Sequence, residues 1–167
     1  IVGVQLRNLA TVGGSIYSRF GFSDVLTMFL ALNASVELYK GGVVPLAEYA
    51  QRPYDRDILV RVLVPKENAR FVYQSVRNSQ TDFPVLTCAA AKLADGSIRA
   101  AIGARPGKAV LYTAAPEAGE TAEEFSARFA AEVKADIKTE SNLRGGAEYR
   151  RHLVGVLTKR AVCRLKG

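Results

Sequence analysis

QLRNLATVGGSIYSRFGFSD, residues Gln5 to Asp24, is the stretch from which the rest of the chain takes its meaning. Its centre, Thr11-Val12-Gly13-Gly14-Ser15, reads as the end of a short apolar strand running into two glycines and a hydroxyl. Glycine tolerates positive φ and lets the backbone come close to another molecule. Consecutive amides in such a turn can point one way and form a concave nest for an anion such as a phosphate. Thr11 and Ser15 add hydroxyls, and Arg7 and Arg19 add positive charge nearby. Paired glycines are more often the mark of an ordinary turn, so the pair alone is weak evidence for a nest.

The longer string narrows the choice. Arg7-Asn8-Leu9-Ala10-Thr11-Val12-Gly13-Gly14-Ser15-Ile16 is followed by Ser23-Asp24 and by Leu30-Ala31-Leu32-Asn33-Ala34. This resembles the second FAD-binding segment of the flavin subunit in the molybdenum hydroxylase family, whose members are of the xanthine dehydrogenase, carbon monoxide dehydrogenase and 4-hydroxybenzoyl-CoA reductase types. The family pattern is R-N-x-A-T-x-G-G-N-I, then an aspartate about ten residues past the glycines, then a helix ending L-x-A. Ser15 stands where the family usually has asparagine, and it keeps a hydrogen-bonding side chain. The resemblance implies cofactor contacts from Ile1, Thr11, Val12, Gly13, Gly14 and Ser15. It also implies that an earlier glycine-rich phosphate loop lies upstream, supplied by preceding sequence or by a companion chain. In keeping with that, the chain opens without methionine on the apolar run Ile1-Val2-Gly3-Val4.

Composition sets outer bounds. The chain has 167 residues, 49% of them hydrophobic, enough for a real core in one domain or two small ones. Its apolar runs are far shorter than a membrane span, and with no basic-then-apolar opening in these residues a cytoplasmic soluble protein without a secretory leader is expected. Cys88 and Cys163 lie far apart without metal-like spacing, so buried thiols in a reducing cytoplasm are expected, and they are too few to hold an iron–sulfur cluster. The net charge of +7 raises the question of nucleic acid. Arg150, Arg151, Lys159, Arg160, Arg164 and Lys166 are interleaved with apolar residues at helical spacing, as on the solvated face of an amphipathic helix.

Ser23-Asp24 is placed to cap a helix over Val25 to Leu32 that is apolar nearly all round and therefore buried. Asp24 is then either an N-cap serving orphan amides or, as the resemblance implies, a hydrogen-bond acceptor for the ribityl or diphosphate part of FAD. Both roles are compatible at a helix start beside a phosphate nest. Ser35 to Lys40 alternates as a half-buried strand, and Gly41-Gly42 turns it into Val43-Val44-Pro45. A short helical piece at Leu46 to Ala50 and a polar loop at Gln51 to Arg56 precede a strand over Asp57 to Val64, ending at Pro65. In that strand Leu59 matches a family leucine that touches the flavin, and it reads equally as an ordinary core leucine.

Pro65-Lys66-Glu67-Asn68 is polar and turn-rich and marks the expected boundary. Residues 1–65 would be the C-terminal part of a PCMH-type FAD-binding domain. Residues 66–167 would be a carbon monoxide dehydrogenase flavoprotein-like C-terminal domain. The fold class is α+β, the second part holding a three-stranded antiparallel sheet packed on helices, with strands over Arg70 to Val76, Pro84 to Ala94 and Ser97 to Ala104. Asp95-Gly96 signals the hairpin between the last two. Thr121-Ala122-Glu123-Glu124 is a capping-box pattern opening a helix to Ala135.

The family's flavin-edge loop reads K-x-x-x-R-x-x-x-D followed by an aromatic or aliphatic residue. Here it matches Gln74, Asn78, Asp82 and Phe83, with Gln74 replacing the lysine. Phe83 would lie against the isoalloxazine, or else be a core aromatic beside Pro84, and Asp82 would tune the flavin potential or gate the acceptor. Leu143 to Leu153 resembles the family's closing signature before a last long helix, in which Tyr149 packs and Arg150 holds a carboxylate. His152 has no ligand cluster around it and reads as a surface residue.

No Ser/His/Asp set, metal cluster or paired catalytic carboxylates emerge, whereas flavin chemistry needs none of them. The resemblance implies an FAD-dependent oxidoreductase subunit of a multi-subunit enzyme, partnered by a molybdenum–pterin large subunit and a 2Fe–2S small subunit. Electrons would pass from the iron–sulfur clusters to FAD and on to NAD, oxygen or another acceptor. A scaffold domain of the same fold without FAD and a basic nucleic-acid-binding module are the alternatives.

Overall fold

The computed structural model describes residues 2–66 and 69–165. Ile1, the Glu67-Asn68 part of the expected boundary, and Lys166 of the basic series lie outside the described residues. Two short helices, α1 (Val4–Leu9) and α2 (Val12–Tyr17), lead into α3 (Asp24–Ala31). Strands β1 (Ser35–Leu38) and β2 (Gly42–Pro45), helix α4 (Leu46–Tyr49) and strand β3 (Leu59–Leu63) complete the first half. The second half runs β4 (Arg70–Val76), β5 (Leu86–Lys92), β6 (Ile98–Gly103), β7 (Val110–Ala114), α5 (Ala122–Asp136) and α6 (Ala147–Arg164). The α+β class expected from the sequence is what forms.

The strands make two antiparallel sheets, one ordered β2-β1-β3 and one ordered β4-β5-β6-β7. The second sheet has four strands rather than three, because Val110 to Ala114 pairs with β6 from Ile98↔Ala114 to Ile102↔Val110. In the first sheet the register shifts between Glu37 and Leu38, so Glu37 faces Arg61 while Leu38 faces Leu59. Such a bulge interrupts the alternation of β3, and Ile58, Val60 and Val64 are left exposed while Leu59 and Val62 pack inward.

The core is organised by β5 and β6, which are buried on both faces. Ala89, Ala91 and Ala101 join Leu26, Leu30, Val36, Leu46 and Tyr49 in one cluster beneath α3. Cys88, Ala90, Ala100 and Ile102 join Phe125, Phe129, Val133, Val154 and Leu157 in a second cluster beneath α5 and α6. Strands covered on both faces lose the polar alternation of a half-exposed sheet, and alanine lets a helix lie close. One core therefore spans the expected boundary: α3 belongs to the first segment and rests on the sheet of the second.

Two glycines are required for that approach. A Cβ at Gly103 would lie 2.4 Å from Thr27 Oγ1 and 2.7 Å from the Gly21 carbonyl oxygen, and one at Gly21 would lie 1.8 Å from the Gly107 carbonyl oxygen. The Ala104 amide donates to the Gly21 carbonyl at 2.6 Å, so the chain just before α3 is fastened to the end of β6. Helix α5 has the capping box its sequence announces, with Thr121 and Glu124 satisfying one another's amides. Helix α6 begins inside the closing signature, at Ala147, and carries Tyr149 half exposed and His152 exposed. Arg151, Lys159, Arg160 and Arg164 are exposed as expected, but Arg150 is completely buried. Cys88 is buried, its thiol pushed up to about 12 by desolvation, and Cys163 is half-buried 3.0 Å from Ser126 Oγ.

Candidate functional site

The decisive stretch is helical where a strand end and turn were expected. Thr11 is the N-cap of α2, and its Oγ1 accepts from the Gly14 amide at 3.0 Å. The Ser15 amide donates to the Thr11 carbonyl. Both glycines thus sit in the first turn of a six-residue helix. Glycine is a poor helix former, but a Thr N-cap serving an otherwise orphan amide offsets about 1 kcal/mol of that deficit. The first amides of any helix lack intrahelical partners, and those of Val12 and Gly13 find no acceptor among the described residues. A Cβ built on Gly13 meets nothing within 4 Å. The turn is open to whatever lies beside it.

What lies beside it is a cavity of about 700 Å³. The first turn of α2 borders it through Thr11, Val12, Gly14 and Ser15, and Arg7 and Leu9 of α1 approach from one side. Asp24, Phe20, Phe22 and Phe83 form the other side. Helix α1 has no buried residue and Leu9 is 87% exposed, so this wall is a thin one.

Asp24 is not the N-cap of α3. Ser23 takes that role, accepting from the Leu26 amide at 3.2 Å. Asp24 is the first helical residue, is buried, and its Oδ1 accepts from Arg77 at 2.6 Å and from the Tyr73 hydroxyl. Burial, followed by the bond to the Asp24 carboxylate, raises the Tyr73 pKa, so that hydroxyl stays protonated and donating. Asp24 Oδ2 takes no hydrogen bond from any described residue, and Asp24 borders the cavity. A ligand hydroxyl could donate to it.

The opposite corner is built from the loop between β4 and β5. Arg77 also donates to the Asp82 carbonyl at 2.7 Å, which ties this loop to α3. The Asp82 carboxylate accepts from the Phe83 amide at 2.7 Å and from Arg144 Nε and Nη2 at 2.8–3.1 Å. Those bonds from Arg144, helped by the Phe83 amide, hold its carboxyl below the usual carboxylate range. Phe83 meets Phe22 edge-on at 4.8 Å between centroids, and Phe22 stacks on Phe20 at 5.1 Å.

Of the residues singled out by sequence, the structure brings Thr11, Val12, Gly14, Ser15, Asp24 and Phe83 to one cavity, with Gly13 in the same turn. Ile1 lies outside the described residues. Asp82 stands behind Phe83, facing Arg144 rather than the cavity. Leu59 packs into the first core cluster. Gln74 lies on the same side of β4 as Val72 and Val76, which pack toward α5 and α6, while Tyr73 on the alternate side reaches Asp24. The buried Gln74 Nε2 has no partner among the described residues. Arg19 does not serve the first turn of α2. Its guanidinium lies 4.1 Å from the Tyr49 ring centroid and bonds Pro53 O, Tyr49 Oη and Asp55, pinning the polar loop after α4. Arg150 holds no carboxylate: it donates to Val85 O, Glu140 O, Gly145 O and Asn142 Oδ1. Sequence reasoning passed over Arg77 as a partner of Asp24, Arg144, and the Phe20–Phe22 pair.

The cavity offers unpaired helix amides, hydroxyls, one half-used carboxylate and aromatic rings. That donor set suits a ligand with an anionic middle, hydroxyl groups and a flat apolar end. Among the described residues no group of three or more His, Cys, Asp or Glu could hold a metal ion, and no helix is long and apolar enough to cross a membrane.

Comparison with known proteins gives the family. Residues 1–67 match the FAD binding domain in molybdopterin dehydrogenase, and residues 71–165 match the CO dehydrogenase flavoprotein C-terminal domain. The Escherichia coli protein YgfM is 28% identical over 156 residues, covering 92% of this chain and 57% of its own length. The glyceraldehyde dehydrogenase medium chain of Sulfolobus acidocaldarius is 26% identical over 174 residues, covering 95% of this chain and 62% of its own length. Among solved structures, quinoline 2-oxidoreductase from Pseudomonas putida 86 superposes with a TM-score of 0.78 at 18% identity, covering 99% of this chain and 63% of that one. Carbon monoxide dehydrogenase from Hydrogenophaga pseudoflava gives 0.78 at 21% identity, over 97% of this chain and 62% of that one. The chain thus spans about three-fifths of the length of the relatives it matches. It belongs to the family of FAD-binding medium subunits of molybdenum hydroxylases.

Proposed function

We propose that this chain carries FAD in the cavity bordered by α2, α3 and Phe83, as part of the electron-transfer subunit of a molybdenum hydroxylase. The observation that carries the reading is the open first turn of α2. Two amides without acceptors and a glycine facing empty space border a cavity of about 700 Å³. In this reading the amides of Val12 and Gly13, with the hydroxyls of Thr11 and Ser15, hold the diphosphate. Asp24 Oδ2 accepts from a ribityl hydroxyl while Arg77 and Tyr73 fix its other oxygen. Phe83 and Phe22 offer an apolar, aromatic wall to the flat ring and exclude water from it.

FAD held there would supply electron transfer from iron–sulfur clusters in a small partner subunit to NAD, oxygen or another acceptor, the substrate being oxidised at a molybdenum–pterin centre in a large partner subunit. The remaining contacts to the cofactor, on the thin α1 side, fall to an upstream FAD-binding region. Gly13→Val is the test. The chain is purified with the subunits and upstream region it assembles with, and FAD released on denaturation is measured. Wild type is expected to release close to one FAD per chain, and Gly13→Val less than about a tenth of that, because a branched side chain fills the space beside the turn. Full FAD content in the variant would overturn the placement, and a colourless wild-type assembly that cannot be reconstituted would favour a scaffold without cofactor.

A further inference from the structure

Arg144 lies in the loop between α5 and α6, and its contacts are made 62 residues away, on the loop between β4 and β5. Its guanidinium is shared by two neighbours: the Asp82 carboxylate at 2.8–3.1 Å and the Phe83 ring, 5.4 Å from the centroid. Its backbone is held as well, the carbonyl by Asn78 Nδ2 at 3.1 Å and the amide by Asn142 Oδ1 at 2.9 Å. Asn142 is in turn fastened by the buried Arg150, which also clasps Gly145 O and Val85 O, two residues beyond Phe83. The arginine is therefore presented from a fixed loop. Phe83 is gripped from the back by this cation and from the side by Phe22, and its remaining surface borders the cavity.

We propose that Arg144 is a positioning residue for the cofactor wall, fixing the Phe83 ring and the Asp82 carboxylate behind it and placing one positive charge just outside the ring's binding surface. This rests on the reading that the cavity takes FAD. The planar fork matters: it pairs with the carboxylate through two nitrogens and lies over the ring at the same time, which a lysine ammonium cannot do. Loss of the fork frees Phe83 to turn and leaves Asp82 as a net negative charge at that corner, a change that makes reduction of a nearby electron carrier less favourable.

The experiment compares wild type, Arg144→Ala and Arg144→Lys in the assembled protein. The bound flavin is read by visible circular dichroism and by redox titration. Arg144→Ala is expected to retain FAD with about tenfold weaker affinity, the scale of a lost cation–ring contact with its charged hydrogen bonds. It should also show a changed dichroism spectrum and a lower reduction potential. Arg144→Lys should recover most of the potential but not the spectrum. A dichroism spectrum and potential identical to wild type in Arg144→Ala would overturn the proposal. The second measurement needs no FAD: aromatic carbon NMR of the Phe83 ring, which should change in Arg144→Ala and recover only in part in Arg144→Lys. An unmoved Phe83 signal would overturn the proposal even where the protein binds FAD. Wild-type protein that takes no FAD while its Phe83 signal responds to Arg144 would instead remove the cofactor reading and leave the anchoring of the ring standing.

Discussion

The two walls of the cavity are built on opposite plans. On the α1–α2 side Ile16 is the single buried residue of the two helices, and Val4, Leu9 and Val12 are more than half exposed. On the Phe83 side three arginines tie the loops together. Arg77 bridges Asp24 and Asp82, Arg144 grips Asp82 and Phe83, and Arg150 fills the space behind with donors to four oxygens. The first wall has backbone to offer and little packing of its own; the second has rings already in place. Binding that orders a loose wall loses affinity to conformational entropy, while a fixed wall costs nothing further on contact. The fixed side is thus suited to choosing the geometry of a ligand and the loose side to closing on it.

Substitutions at the two walls should separate these roles. The largest effect is expected at Arg150. Arg150→Met removes a wholly buried cation, leaves Val85 O and Glu140 O without a donor, and leaves Gly145 O and Asn142 Oδ1 with one backbone donor each. About 4 kcal/mol of stability should be lost, read as a lower midpoint in urea. A variant as stable as wild type would show that the fixed wall does not depend on this hub. Next comes Asp24→Ala, which removes the carboxylate partner of the mostly buried Arg77 and of the Tyr73 hydroxyl, leaves Arg77 only the Asp82 carbonyl, and should cost about 3 kcal/mol in the same measurement. On the other wall, Gly13→Val should move the urea midpoint by less than about 1 kcal/mol, since the position is helical and open. A large destabilisation there would mean that the loose wall is packed more firmly than its exposure indicates.

The smallest effect is in the acid range. Asp82 has a folded pKa depressed below its ordinary 3.8, so its contribution is fully present above that value and fades as pH falls through the depressed one. Thermal midpoints followed downward from about pH 4 should therefore fall less steeply in Arg144→Met than in wild type, the difference vanishing near neutrality only after the constant loss of the contact is subtracted. Parallel curves would show the pair to be uncoupled.

How much of this could be read beforehand depends on the distance over which each feature is determined. The capping box at Thr121, the Asp95-Gly96 hairpin and the apolar helix after Ser23 are written in neighbouring residues, and they form as read. Thr11 to Ser15 reads locally as a strand end and turn because glycine pairs favour turns, whereas the Thr11 cap and the docking of Ile16 carry the segment into a helix. Strand β7 comes after Gly103-Ala104-Arg105-Pro106-Gly107, which reads as loop, and its pairing with β6 is not a local property. Thr11 to Ser15 and Asp24 are legible because they belong to one contiguous motif and Phe83 because it ends a second, whereas Phe20 and Phe22 border the cavity without being part of either pattern. Arg144 is not legible either, because nothing around it in the chain points to Asp82. Gln74 and Leu59 were carried to the site by a pattern, and the side of the strand each occupies turns them elsewhere.

The shared core beneath α3 has a practical corollary for anyone cutting this chain. Ala89, Ala91, Ala101 and Ala109 are covered by residues from before the Pro65 turn. A piece beginning at residue 69 would bare that side of its sheet, and a piece ending at 65 would leave α3, with Leu26 and Leu30, without the strands β5 and β6 that it rests on. Expressed separately, the halves should aggregate or stick to chaperones; expressed together, they should find each other and refold as a nicked protein.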